Sequence, residues 1–313
     1  MTSEKLVFIA GPTAVGKSEL SIDLAQKLNM EILSMDSMQI YRGMNIGTAK
    51  LSQEEMQGVP HHLLDFVCPG ERYTAERYQQ DAYRVLSEVR SRGHFPLFVG
   101  GTGLYMEAIL HDFQFGGVNF DPELRAELQA LYKKDHGAAL YQMVKKVDPE
   151  TARILTPADR KKLIRAWEVY RETGIPLSAQ KKEKNRSRRW DALCFVLTDE
   201  REALYRRIDQ RVIRMIEEGL IEENQTLIDS GISHNAQAMK AIGYQEVLWY
   251  FRGIVNRDEM IRLIQKNSRN YAKRQLTWFR KDPSFLWLDR SRLDEEAIRK
   301  ELYERTRAFL FEN

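Results

Sequence analysis

A pattern close to the N-terminus constrains this fold more than any other feature of the chain. An apolar run at residues 6–10 leads into a glycine-rich segment and then a stretch compatible with a helix. That segment spells G-x-x-x-x-G-K-S, with the residues Gly11, Pro12, Thr13, Ala14, Val15, Gly16, Lys17 and Ser18. Its glycines permit positive φ, so that consecutive backbone N–H groups can converge on an anion. Lys17 adds a positive charge, and the hydroxyl of Ser18 suits Mg²⁺, so we expect a di- or triphosphate site.

Short apolar runs elsewhere in the chain predict further buried parallel strands. Together with the first run they lie at residues 6–10, 31–35, 96–100, 192–197 and 285–288. Helix-patterned segments separate most of these runs. This alternation predicts an α/β fold, a doubly wound parallel sheet of the P-loop NTPase-like type.

The strand pattern stops between residues 115 and 190, where only helical periodicity is found. Helices are predicted there at residues 122–134, 138–146 and 160–173. Gly116-Gly117 mark one border of this region, and the basic, unpatterned stretch 181–189 marks the other. We therefore expect an inserted helical domain at 116–189, within an α/β core made of residues 1–115 and 190–313.

Composition excludes several classes of protein. Hydrophobic residues make up 43% of the chain, which is enough for a substantial core, and the net charge is only +3. Cys68 and Cys194 lie far apart without metal-type spacing, so we expect neither a disulfide framework nor a zinc site. The first apolar run is too short for a signal peptide or a membrane span. We expect a protein of the reducing cytoplasm that does not enter a membrane.

Polar residues follow two of the predicted strands. Asp36 comes directly after the second strand, at the sheet edge where α/β proteins bind their ligands. Its carboxylate can hold Mg²⁺ through water, cap the next turn or accept a proton, and spacing alone does not separate capping from catalysis. The glycine-rich turn at 100–105 follows the third strand and admits either a ligand or a closely packed helix.

Two later helical segments carry basic residues at helical spacing. Arg207 and Arg211 lie four apart and suit either phosphate contact or ion pairing with Asp209 or Glu217. Gly219 is a candidate break in the helical stretch 201–230. A longer helix at 257–280 places four basic residues on one face, which favours either a solvated surface or nucleic acid. They are Arg262, Lys266, Arg269 and Lys273.

Five sequence blocks, taken together, resemble the bacterial tRNA dimethylallyltransferase family. They are GPTAVGKS at 11–18, DSMQIYRGMNIGTAK at 36–50, PHHLLD at 60–65, GGTGLY at 100–105 and YAKRQLTWFR at 271–280. The blocks occur in the family's order, and the resemblance extends over nearly the whole chain. With only two cysteines, the chain lacks the Cys/His-rich extension of eukaryotic relatives and resembles the bacterial form.

The resemblance implies a transferase that moves a dimethylallyl group from dimethylallyl diphosphate to the N6 amine of the adenosine 3′ of the anticodon in tRNA. The loop from Gly11 to Ser18 then holds the departing diphosphate, with Mg²⁺ at Ser18. Asp36, Lys17 and Arg211 are implied as the catalytic residues, with Asp36 accepting the amine proton. The family flips the adenosine into a channel of the core domain and acts as a monomer.

The resemblance also implies which residues contact the anticodon stem-loop of tRNA. They are Asp36, Ser37, Met38, Gln39, Thr102, Arg125, Lys161, Lys162, Leu163, Ile164, Arg165, Lys240, Lys273 and Arg274. For the segments containing Arg125 and 161–165, a solvated helix face is the alternative explanation.

Three other functions fit parts of the same pattern. A small-molecule kinase also uses a phosphate loop, an aspartate after a strand and an arginine-bearing helix. A prenyltransferase acting on free AMP or ATP would leave the basic insertion and the basic long helix without a purpose. A nucleotide-dependent RNA-binding switch predicts tight ATP or GTP binding and no prenylated product.

Overall fold

The computed structural model describes residues 5–111, 121–182 and 190–312 of the chain. Within these ranges the strands are β1 (Lys5–Ala10), β2 (Met30–Met35), β3 (His61–His62), β4 (Phe95–Gly100), β5 (Asp191–Thr198) and β6 (Leu286–Asp289). The α-helices are α1 (Lys17–Leu28), α2 (Ala75–Ser91), α3 (Gly103–Leu110), α4 (Pro122–Asp135), α5 (Ala138–Val147), α6 (Pro149–Arg153), α7 (Arg160–Thr173), α8 (Leu177–Lys182), α9 (Arg201–Glu217), α10 (Leu220–Asp229), α11 (Tyr244–Phe251), α12 (Arg257–Phe279) and α13 (Glu295–Phe311). A short 3₁₀ turn covers Ala238–Lys240.

The strands of the described residues form one parallel sheet in the order β3-β2-β4-β1-β5-β6. From β1 in the interior, the chain adds strands first on one side and then on the other. The five predicted strands are confirmed, each within about one residue of its predicted bounds. The sequence analysis missed β3, because two histidines carry no apolar run to mark a strand. Because the described strands are all parallel, their carboxyl ends meet at one edge of the sheet, where ligands of such folds bind.

Alternation along the strands produces two cores, one on each face of the sheet. Leu6 and Phe8 of β1 belong to the first core, which also contains buried side chains of α2, α3 and α9 to α12. Val7 and Ile9 point the other way and pack with α1 and α13. Because both faces are covered, the strands read as continuous apolar runs.

Local capping explains where the helices near the site begin. Asn256 accepts the N–H of Glu259, and the Glu259 side chain accepts the N–H of Asn256, which starts α12 with a capping box. Gly219, at φ 103°, separates α9 from α10. The predicted break at Gly219 is thus confirmed, because glycine adopts this left-handed conformation at low cost.

Backbone contacts divide the chain into two compact units. One comprises Met1–Leu110 with Arg188–Asn313, and the other comprises His111–Ser187. The second unit is helical where it is described and has a core of its own that includes Leu128, Leu140 and Val144. The predicted border residues Gly116-Gly117, and 183–189 of the basic stretch, lie outside the described residues, so the exact domain borders stay a prediction.

Candidate active site

The glycine-rich segment forms a tight loop between β1 and α1. Gly11 has φ 150° and Gly16 has φ 88°, and Ala14 between them also has a positive φ of 61°. A Cβ added to Gly11 would lie 2.7 Å from the carbonyl oxygen of Leu197 in β5. Only glycine therefore allows the loop to run this close to the neighbouring strand. The loop ends at the N-terminus of α1, where exposed backbone N–H groups favour an anion.

Lys17 extends over this loop. Its Nζ donates to the carbonyl oxygens of Gly11, at 3.0 Å, and Pro12, at 2.8 Å. Burial lowers the pKa of Lys17 to about 8, although the nearby charge of Asp36 opposes this change and that of Arg211 adds to it. Ser18 follows as an exposed residue of the first helical turn.

Asp36 begins the turn that follows β2. Its Oδ1 accepts the backbone N–H groups of Met38, at 2.8 Å, and Gln39, at 3.3 Å. One carboxylate oxygen thus caps the turn, which is one of the roles that spacing left open. The same side chain also lines a pocket and exerts electrostatic effects on both Lys17 and Arg211. Capping and a role towards a ligand are therefore compatible.

Thr102 joins the ends of two neighbouring strands. Its backbone N–H donates to the carbonyl oxygen of Met35, at 3.0 Å, and its Oγ1 accepts the N–H of Ser37, at 3.2 Å. A Cβ on Gly100 would lie 2.3 Å from the Met35 oxygen. The glycine-rich turn after β4 therefore serves close backbone packing beside Asp36.

The two arginines of α9 contact the loop in different ways. Arg207 donates from Nε to the carbonyl oxygen of Ala14, at 3.0 Å, and from Nη2 to Asp199, at 2.5 Å. Arg211 donates from Nη1 to Oγ1 of Thr13, at 3.3 Å, and lines the pocket. Burial lowers the pKa of the Arg211 guanidinium, and the charge of Asp36 opposes this. Arg207 braces the loop, whereas Arg211 faces the pocket.

Sequence reasoning did not single out Gln275 as a residue of the site. This side chain, 5% exposed, accepts the N–H of Thr13 at 3.0 Å and donates from Nε2 to the carbonyl oxygen of Gly101 at 2.9 Å. It thus connects α12 to the glycine-rich loop and to the turn after β4. Tyr271, one turn earlier, lines the pocket, and burial raises the pKa of its phenol. The signal available in the sequence for Gln275 was its position as a polar residue on the apolar face of α12, because a buried polar group needs hydrogen-bond partners.

The pocket at this sheet edge has a volume of about 270 Å³. Polar groups of the loops and apolar side chains of the later helices both contribute to it. It is lined by Thr13, Asp36, Ser37, Met38, Gly47, Thr48, Ile208, Arg211, Val212, Met215, Lys240, Ala241, Ile242, Gly243, Ile264, Ser268, Tyr271 and Arg274. A carboxylate and several cations at one end with aliphatic groups around them suit a ligand that is part anion and part hydrocarbon.

One wall of the pocket is held from behind by Glu223 of α10. Its Oε2 accepts the N–H groups of Asn45, at 2.7 Å, and Ile46, at 2.8 Å. Its Oε1 accepts the N–H of Gly47, at 3.1 Å, and the hydroxyl of Tyr244, at 2.6 Å. Three consecutive backbone donors on one carboxylate fix the position of this wall.

The predicted tRNA-contacting residues of the core unit have different surroundings. Ser37, Met38, Lys240 and Arg274 line the pocket together with Asp36. The side chain of Gln39 instead donates to the carbonyl oxygens of Thr48 and Ala49.

The basic stripe predicted on α12 is not uniform. Lys266 and Lys273 are exposed, as is Arg262. Arg269 instead forms an ion pair with Asp209 of α9. Arg269 therefore differs from the other three cations of this face, because its side chain joins two packed helices.

In the helical unit, Arg125 forms a two-pronged ion pair with Glu168, which is 6% exposed. Of the predicted segment 161–165, Lys161 and Lys162 are exposed and Arg165 is half-buried. The side chains of Leu163 and Ile164 are buried in the core of the unit. We therefore retain only the three cations of this segment as candidates for side-chain contact with RNA.

The described residues contain no cluster of three or more His, Cys, Asp or Glu side chains arranged to hold a metal ion. The hydroxyl of Ser18, at the start of α1, remains the candidate metal contact. A hard cation such as Mg²⁺ accepts one or two protein oxygens when phosphate oxygens and water supply the others. Among the same residues, no helix combines the length and the hydropathy that crossing a bilayer requires.

Comparison with known proteins identifies relatives over nearly the whole chain. The model of the family described as IPP transferase matches residues 39–282. A tRNA dimethylallyltransferase of Carboxydothermus hydrogenoformans is 44% identical over 301 residues, 96% of each chain. Another, of Geobacillus thermodenitrificans, is 46% identical over 96% of this chain and 95% of its own.

Solved structures give a similar result. The full-length tRNA isopentenylpyrophosphate transferase of Bacillus halodurans has a TM-score of 0.74 and 42% identity, covering 98% of this chain and 97% of its own. A eukaryotic dimethylallyltransferase described as acting on tRNA has a TM-score of 0.82 and 28% identity. It covers 98% of this chain and 78% of its own length.

Proposed function

This chain belongs to the IPP transferase family, and we propose that it transfers a dimethylallyl group from dimethylallyl diphosphate to an adenosine of tRNA. The acceptor is the N6 amine of the adenosine 3′ of the anticodon, and diphosphate is released. The observation that carries this proposal is one pocket in which Asp36 faces Arg211 and the phosphate loop, with aliphatic side chains beside them.

The loop supports this reaction by stabilising the leaving group. As the allylic C–O bond breaks, negative charge develops on the diphosphate. Backbone N–H groups at the start of α1 and the cations of Lys17 and Arg211 are the groups we propose to stabilise this charge. Lys17 Nζ then exchanges its contacts with the carbonyl oxygens of Gly11 and Pro12 for the diphosphate. The strand, loop and helix that provide these groups lead us to propose a P-loop NTPase-like fold.

Ser18 fits a supporting role through Mg²⁺. Its hydroxyl follows Lys17 in the first turn of α1, where it can share a cation with the diphosphate. When bound, Mg²⁺ would supply further neutralisation of the leaving group's charge.

Asp36 orients the nucleophile. The exocyclic amine of adenosine is a weak nucleophile, so its position relative to the allylic carbon matters as much as its basicity. The carboxylate of Asp36 accepts a hydrogen bond from the amine and takes up its proton as the C–N bond forms. Because the pocket is set into the core, the adenosine must leave its stack to reach it. Ser37, Met38 and Thr102 then border the flipped base.

We further propose that the helical unit binds the anticodon stem-loop through its basic residues. Lys161, Lys162 and Arg165 of α7 provide the charge that phosphate contacts require, and Lys240, Lys273 and Arg274 provide it in the core unit. Arg125, held by Glu168, is proposed to lie near the same RNA.

A steady-state assay separates this function from its main alternative. The purified protein should release diphosphate from dimethylallyl diphosphate only when a tRNA with an adenosine-rich anticodon loop is added. A small-molecule kinase would instead consume ATP with a small alcohol and ignore tRNA. That second pattern would overturn the proposal, and product formed from free AMP in place of tRNA would reassign the acceptor.

A further inference from the structure

Arg290 lies against the phosphate loop from the side of β6. A Cβ added to Gly16 would be 2.8 Å from Nη1 of Arg290, so the guanidinium packs directly on this glycine. Arg290 is the first residue after β6, and its backbone N–H donates to the carbonyl oxygen of Thr198 at the end of β5, at 3.0 Å. Its Nη2 donates to Glu295 at 3.2 Å. The side chain is thus anchored at its base and at one nitrogen, with Nη1 towards the loop.

Glu295 neutralises one side of this guanidinium, and the other side, at Nη1 beside Gly16, favours a second anion. Gly16 is the N-cap residue of α1, where the helix carries partial positive charge. A guanidinium beside a helix N-terminus raises that charge further, and Lys17 already contributes to it. The side chain is 23% exposed, so water screens the repulsion only in part. An anionic ligand at this end of the loop would offset the repulsion.

The order of groups along the loop indicates which part of the ligand lies there. Thr13 and Arg211 line the pocket that holds Asp36, whereas Gly16 to Ser18 lie beyond its lining. The phosphate attached to the reacting carbon must face the pocket, because the nucleophile approaches from there. The second phosphate then extends towards Gly16.

We propose that Arg290 binds the distal phosphate of the prenyl donor through Nη1, while its Nη2 remains paired with Glu295. This assignment rests on the proposed function for the identity of the donor. It makes Arg290 a determinant of diphosphate over monophosphate recognition, a contact that the G-x-x-x-x-G-K-S pattern does not contain. A charge-assisted hydrogen bond of this type contributes about 10- to 100-fold in affinity.

Calorimetric titration of Arg290→Gln tests the assignment. Dimethylallyl diphosphate, dimethylallyl monophosphate, inorganic diphosphate and inorganic phosphate are titrated in the presence of Mg²⁺ and the absence of tRNA. Arg292→Gln is the matched control, because it removes the same charge two residues away from a side chain that is 84% exposed. We expect Arg290→Gln to weaken both diphosphates about 10- to 100-fold and to leave both monophosphates unchanged. Arg290→Lys should recover part of the loss, and Arg292→Gln should bind all four ligands normally.

Two results would overturn the proposal. One is normal diphosphate affinity in Arg290→Gln. The other is an equal loss for monophosphates and diphosphates, which would show that Arg290 only supports the loop. The inorganic ligands keep this test separate from the proposed function. If the wild-type protein binds inorganic diphosphate through Arg290 but does not bind the prenyl donor, the donor is wrong and the phosphate contact stands.

Discussion

Strand β2 has an acidic residue near each end, and the surroundings of the two differ sharply. Glu31, at the amino end, is 2% exposed and accepts hydrogen bonds from Arg92, with His62 at 2.5 Å and His94 at 2.6 Å. Asp36, just past the carboxyl end, uses one oxygen to cap a turn and borders the pocket.

The difference separates an amino end where the charges are matched within the protein from the carboxyl end, where we propose that the ligand binds. The Arg92 guanidinium, with further hydrogen bonds from both histidines, lowers the pKa of Glu31 to about 2. The negative charge of Glu31 is thus balanced by partners within the protein. At the other end, Lys17 and Arg211 face a single carboxylate beside a glycine-rich loop. That surplus of positive charge suits an anionic substrate.

The largest effect is expected from Asp36. Asp36→Asn keeps an oxygen that can cap the turn but removes the base, so turnover should fall by about 10²–10⁴-fold with little change in thermal stability. Asp36→Ala removes both functions and should also lower the melting temperature. Single-turnover prenyl transfer and thermal melts measure the two effects. Near-normal turnover in Asp36→Asn would return the residue to a purely structural role.

A second test extends the comparison to the helical unit. There Arg125 is matched by the buried Glu168, whereas Lys161 and Lys162 of α7 are exposed, although Lys162 also pairs with Asp159. Replacing Lys161, Lys162 and Arg165 together by Gln should weaken tRNA binding and reduce its dependence on salt by about one unit of slope per lost phosphate contact. Diphosphate affinity should not change. Lys145 and Lys146 of α5 offer a matched control pair. Unchanged tRNA affinity would assign α7 a solvated face.

Glu31 should show the reverse behaviour of Asp36. Glu31→Gln leaves Arg92 and the histidines without their carboxylate and should lower the free energy of unfolding by about 1–3 kcal/mol, with turnover retained. The folded-state pKa of about 2 lies below the usual 4.5, so this stabilisation is present above pH 4.5 and is lost as the pH falls towards 2. The difference in the free energy of unfolding between pH 7 and pH 3, measured by denaturant titration, should therefore be smaller for the variant than for the wild type. A Glu31→Gln protein of normal stability but low activity would contradict the structural role of Glu31 and assign it a role in function.

The smallest effect concerns the charge of Lys17. Because burial lowers its pKa to about 8, part of the population loses this charge as the pH rises from 7 to 9. Diphosphate binding favours the protonated form, so binding above pH 8 should take up protons. Calorimetry in two buffers of different ionisation enthalpy measures this uptake, and Lys17→Met corrects for protons taken up by the ligand. Equal proton uptake by the wild-type protein and by Lys17→Met would contradict the assignment of this uptake to Lys17.

Much of the fold follows from local pattern. The strands, the break at Gly219 and the glycine-rich loop between β1 and α1 were predictable, because apolar periodicity and glycine placement act over a few residues. The pairing of His61–His62 with β2 could not be predicted, since two residues carry no periodicity.

The site was predictable to the extent that it follows from motifs at strand ends. Gln275 and Glu223 were not predicted as part of the site, because their partners lie far away in sequence, in loops that only the folded chain brings to them. The ion pair of Arg269 with Asp209 was not predictable for the same reason, since spacing shows a shared face but not the helix that packs on it.

In the function that we propose, one pocket joins a prenyl diphosphate to an adenosine of tRNA. Mass spectrometry of tRNA digested after incubation with the protein, dimethylallyl diphosphate and Mg²⁺ tests it most directly. We predict one added dimethylallyl group, on N6 of the adenosine 3′ of the anticodon, and none with Asp36→Asn over the same time. Unmodified tRNA after incubation with the folded wild-type protein would contradict this function. So would a dimethylallyl group on another nucleotide.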